Sequence, residues 1–82
     1  MNVSIDAIEP AVGGKNWKCV FQLDSEVDAN ICMANMLPFR FITPIRDVSC
    51  LNNKLILYVL NDERVNINIF CNQIMNRIGL FK

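Results

Sequence analysis

The side chains with the most reactive chemistry are four cysteines, Cys19, Cys32, Cys50 and Cys71. Their separations of 13, 18 and 21 positions include no CxxC pair, the close spacing on which zinc sites and thioredoxin-like sites depend. A thiol nucleophile also needs a neighbouring base and an electropositive niche. The chain has no histidine, which removes the commonest general base and the commonest metal ligand together. Cys19 and Cys71 fall on or beside apolar stripes, so the cysteines read as small buried thiols. No metal ion, cofactor or catalytic residue is expected from this set, and the protein reads as a non-enzyme.

Paired carboxylates, the other simple route to acid–base catalysis, occur as Glu26/Asp28 and Asp62/Glu63. Both pairs fall at expected helix N-termini, where capping and the helix dipole account for them. Gly13-Gly14 has no phosphate-binding signature around it and reads as a turn. Lys15, Lys18, Phe39, Arg40, Arg46 and Lys54 form the one basic, aromatic-bearing set suited to single-stranded nucleic acid. Eight Lys+Arg balance eight Asp+Glu, whereas a nucleic-acid binder carries a basic excess. Nucleic acid is therefore an alternative partner and not the expected one.

What remains is architecture. Eighty-two residues, 52% of them hydrophobic, make one small folded domain and exclude intrinsic disorder. The N-terminus has no basic segment followed by a long apolar run, and the longest uninterrupted apolar stretch, Leu55–Leu60, is far below the roughly 18 residues of a membrane span. The chain is expected to be cytoplasmic.

Self-comparison divides the domain (1–82) into two units, 1–38 and 39–82. Asn16, Leu23 and Glu26 fall on Asn53, Leu60 and Glu63, with Phe21 on Tyr58. Each unit reads strand, turn, strand, helix. Val3–Ile8 is a strand closed off by Pro10, and Gly13-Gly14 is a hairpin signal. Trp17–Leu23 alternates with period two, placing Trp17, Cys19, Phe21 and Leu23 on one face. Ser25 caps a helix that runs to about Leu37, before Pro38. In the second unit Phe41–Cys50 is a strand broken by Pro44, expected at an edge or with a bulge. Asn52-Asn53 makes the turn, Leu55–Leu60 is a strand, and Asp62 caps a helix over Glu63–Ile78 ended by Gly79. The expected fold is α+β: two tandem β-β-α units forming a four-stranded, mostly antiparallel sheet with both helices on one face.

The apolar residues exceed what this plan buries. By the repeat alignment Ile56, Tyr58 and Leu60 point inward, which leaves Leu55, Leu57 and Val59 on the opposite face. Ile67, Phe70, Cys71, Ile74 and Ile78 form one stripe of the second helix, with Val65 and Ile69 opposite. In the first helix Val27, Ile31 and Ala34 are assigned to the core and Ala29, Met33 and Met36 to the far side. Leu55, Leu57, Val59, Val65 and Ile69 are therefore the expected partner-binding residues, with Arg40 and Arg46 at the rim. The expected function is that of a small interaction protein (a regulator, an assembly factor or a phage-type inhibitor) acting through an apolar surface. Its expected partners are a second copy of itself, as a homodimer, and another protein. The alternatives are a small-molecule-binding module lined by Met33, Met36 and Met75 and a weak single-stranded nucleic-acid binder.

Overall fold

The computed structural model describes residues 1–40 and 44–81. The chain runs β1 (Val3–Pro10), β2 (Asn16–Leu23), α1 (Glu26–Met36), a one-turn 3-10 helix (Leu37–Phe39), β3 (Ile45–Leu51), β4 (Lys54–Leu60) and α2 (Ile67–Gly79). The four strands form one antiparallel sheet in the order β1-β2-β4-β3, and the fold is α+β with two tandem units. The expected strand over Phe41–Cys50 is seen from Ile45 onward; its first residues, 41–43, lie outside the described ones.

Local chemistry places each element. Gly13 and Gly14 take φ of +90° and +72°, a region open to glycine at little cost. The loop they shape is closed by Ala11 N donating to Asn16 O at 2.9 Å. Asn52, at φ +55°, turns β3 into β4, as asparagine tolerates this region. The Ser25 hydroxyl caps α1 by accepting from Asp28 N at 3.1 Å. The cap of α2 is Asn66, whose Oδ1 accepts from Ile69 N at 3.1 Å. That helix therefore starts at Ile67 and not at Glu63. Asp62 closes a separate turn ahead of it, with Val65 N donating to Asp62 O.

One face of the sheet carries the core. Cys19, Phe21 and Leu23 of β2, Ile45 and Val48 of β3, and Leu55, Leu57 and Val59 of β4 meet Ala29, Cys32 and Met36 of α1 and Ile67, Cys71, Ile74 and Ile78 of α2. Both helices present buried residues at the same i, i+3, i+7 spacing, 29-32-36 and 71-74-78, the stripe of an amphipathic helix.

The repeat is visible in register. Ile5 pairs with Phe21 and Ile45 with Val59, while Ile8 pairs with Cys19 and Val48 with Leu57. Between these pairs each edge strand carries a bulge, at Asp6 in β1 and at Arg46 in β3. The structure thus superposes Cys19 on Leu57 and Phe21 on Val59. The alignment by sequence sets them on Ile56 and Tyr58, one residue away. In a strand, a slip of one residue exchanges the two faces. The assignment of Leu55, Leu57 and Val59 to an outer face is therefore corrected: all three are 0% exposed, and Ile56, Tyr58 and Leu60 lie on the other side.

Helix packing crosses between the units. α1 lies mainly against β3 and β4, whereas α2 lies mainly against β1 and more lightly against β2. Each edge strand is thus covered by the helix of the other unit, while β2 lies beneath both helices. Separated fragments 1–40 and 44–82 are expected to be unfolded alone and to regain helical circular dichroism when mixed. Independent folding of either fragment would contradict the exchanged packing.

Candidate functional site

Most of the reactive thiols are placed out of reach of solvent. Cys19, Cys32 and Cys71 are buried, and all four thiols are free. A hydrogen bond with Cys71, together with burial, pushes the Cys19 thiol far up from its ordinary value. Burial and the nearby Asp28 carboxylate push Cys32 up as well. A thiol held in its protonated form is neither nucleophile nor metal ligand. Cys50 is only partly covered, and its Sγ donates to Asn30 Oδ1 at 3.1 Å. Among the described residues no group of three or more Cys, Asp or Glu is placed to hold a metal ion, and no helix is long and apolar enough to cross a membrane.

The carboxylates are occupied locally. Asp62 accepts from Arg64 through the backbone N at 2.9 Å, Nε at 3.1 Å and Nη2 at 2.9 Å. These bonds hold its carboxyl down at about 2. Glu26 and Asp28 sit in the first turn of α1. Asp6 pairs with Lys54 at 2.9 Å and Asp47 with Arg40 at 3.7 Å, exposed pairs of small energetic weight.

The basic and aromatic set does not form one rim. Lys54 and Arg40 are held by these carboxylates, and Phe39 lies under the Arg77 guanidinium, 5.2 Å from its ring centroid. The methionines do not line one cavity either. Met36 is buried, while Met33 and Met75 pack against the core. A crevice of about 220 Å³ does open beside Met36, between Phe39, Phe70, Ile74 and Arg77.

Of the expected contact residues, Leu55, Leu57 and Val59 belong to the core. Val65 lies ahead of α2 and packs against the core edge. Arg46 forms the β3 bulge, half-buried, beside the Arg40–Asp47 pair. Ile69 is well exposed, at 56%, and Arg40 is exposed too. Val65 and Ile69 line one crevice together with Phe70 and Gln73, while Leu55, Leu57 and Val59 are buried beneath the helices.

The contiguous apolar surface lies on α1 instead. Val27 is 66% exposed and Ile31 37%, and Ala34 beside them is exposed too. At 100° per residue these three lie directly opposite the buried Ala29–Cys32–Met36 face. Leu37, 38% exposed, extends the surface past the helix end. The stripe Val27–Ile31–Ala34 is the one the sequence assigns to the core, so this assignment is also corrected. With apolar residues on both sides of α1, periodicity alone does not tell the inner stripe from the outer one. Position relative to the cap is the missing signal: Ser25 ends the strand run and sets the phase of the first turn.

The open face of the sheet is less exposed. Val20, 8% exposed, is flanked by its cross-strand neighbours Ala7 and Ile56, and Tyr58 and Leu60 are partly covered.

No protein-family model, curated protein or solved structure matches this chain.

With a thiol reagent under native conditions, Cys50 is expected to react first and the other three only on unfolding. Equal rates for all four would contradict the burial. In a carboxyl-carbon NMR titration Asp62 is expected to titrate near 2 and to return to about 4 in Arg64→Ala. Because the folded value is depressed, any stability this carboxylate adds is complete above about pH 4 and fades as pH falls through the folded value. An unchanged midpoint in the variant would remove Arg64 as the cause.

Proposed function

We propose that this protein is a small non-enzymatic interaction module, a regulator, assembly factor or phage-type inhibitor, that works by burying the outer ridge of α1 on a protein partner. The observation that carries the reading is the exposure of Val27 and Ile31 on the side of a well-capped helix directly away from the core. Exposed contiguous apolar surface marks interaction sites. Anchors at i, i+4 and i+7 match the way an amphipathic helix docks into an apolar groove. The four free thiols support a reducing, cytoplasmic setting.

A second reading is a small-molecule site in the crevice beside Met36, favoured by its apolar walls and by Arg77 at its mouth. Its volume of about 220 Å³ is below the roughly 300–1,000 Å³ usual for ligand pockets, so the ridge is preferred.

Burying one aliphatic side chain contributes about 1.5–3 kcal/mol, so replacing it by a charge costs at least tenfold in affinity. The test is affinity capture from the native cell with the wild-type chain and with Ile31→Glu as parallel baits. The expected result is a protein retained by the first and lost from the second, with unchanged circular dichroism of the bait. Identical captures by both baits would overturn the ridge as the contact.

A further inference from the structure

We infer that a second copy of this chain occupies the α1 ridge, docked antiparallel about a two-fold axis that passes between Ile31 and Ala34. This inference rests on the docking reading above and adds the identity of the partner.

The first argument is shape. Ile31 and Ala34 stand three residues apart on the exposed ridge. An antiparallel two-fold sets each Ile31 against Ala34 of the other copy, so that a large side chain fills the low point left by a small one. The same operation brings Val27 to the shoulder formed by Leu37 and Pro38 of the other copy. A parallel pair would stack Ile31 on Ile31 and leave a gap at Ala34, which costs contact area.

The second argument is charge. In a two-fold interface each surface meets its own copy, so any charge near the axis meets a like charge. Residues 29–39, Ala-Asn-Ile-Cys-Met-Ala-Asn-Met-Leu-Pro-Phe, contain none. The ridge is flanked by amides, Asn30 and Asn35, whose Nδ2 groups donate to Glu26 O at 3.0 Å and Ile31 O at 2.8 Å of their own helix. The acidic groups of the first turn, Glu26 and Asp28, fall away from the axis, and antiparallel helices set their dipoles in opposition. The whole chain carries zero formal charge at pH 7, a condition that promotes self-association.

The third argument is that the competing route is blunted. The edge strands carry the bulges at Asp6 and Arg46, and β1 ends in Glu9-Pro10, features that hinder edge-to-edge sheet pairing. The ridge is short, well under the ~800 Å² per partner of a standard stable interface. The dimer is therefore weak, with a dissociation constant on the order of 10–100 μM.

The experiment is sedimentation velocity of the intact chain over a concentration range from about 5 to about 500 μM. The weight-average mass is expected to rise from the 9.4 kDa of one chain toward twice that value. Ile31→Glu is expected to hold it at one chain throughout with an unchanged melting temperature. Ala34→Leu makes the ridge more apolar yet is expected to weaken association, because it fills the site that receives Ile31. A single-chain mass at the highest concentration overturns the inference, and the capture comparison then judges the docking reading on its own. A dimer that survives Ile31→Glu places the contact on another surface and also overturns it. Tightening by Ala34→Leu overturns the antiparallel arrangement.

Discussion

The fold depends on one exchange: each helix closes over the edge strand of the other unit, with β2 shared beneath both. The central strands β2 and β4 pair through Cys19–Leu57 and Phe21–Leu55, and these side chains face a layer in which α1 lies over the second hairpin and part of β2, and α2 over β1 and β2. A two-stranded hairpin is marginal in water by itself. Here each hairpin gains its neighbour strand and most of its cover from the other half of the sequence. The same constraint accounts for the fully buried Leu55, Leu57 and Val59. They form the floor that both halves share.

Where one rule decides a residue's place, the sequence is legible. Trp17–Leu23 alternates, with Lys18 and Gln22 on the outer face beside Val20, Gly13-Gly14 supplies two positive φ angles, and Ser25 caps α1. Ile67, Cys71, Ile74 and Ile78 mark the buried side of α2. Where two rules compete, it is not. Leu55–Leu60 is apolar at every position, so period-two alternation has no contrast to read, and the face then depends on a repeat alignment that matches Asn16 with Asn53. The structural superposition differs from it by one residue, enough to invert the strand. Two candidate caps, Asp62 and Asn66, stand before α2. The second starts the helix, because the first is spent on the Arg64 turn.

The phase of α1 is illegible for the same reason. That the chain carries more apolar side chains than its core accepts is visible from composition. Which ones remain outside depends on helix phase, and α1 has Val27, Ile31 and Ala34 on one side against Ala29, Cys32 and Met36 on the other. The core takes the set containing cysteine, alanine and methionine, small or flexible side chains that fit closely over β3 and β4. The branched pair, Val27 and Ile31, is left in solvent. The reactive groups follow the opposite logic. Thiols are packed into the sheet–helix layer, and carboxylates are engaged by turns, caps and nearby cations.

The exchanged packing also governs when this chain can acquire structure during synthesis. The N-terminal half emerges from the ribosome first, yet α1 lacks most of its packing surface until β3 and β4 have followed it. β2 likewise lacks its central neighbour until then. The ordering entropy of the early residues cannot be offset before these distant contacts exist. Nascent chains stay open, with Phe21 and Leu23 accessible to chaperones, until β3, β4 and α2 have followed.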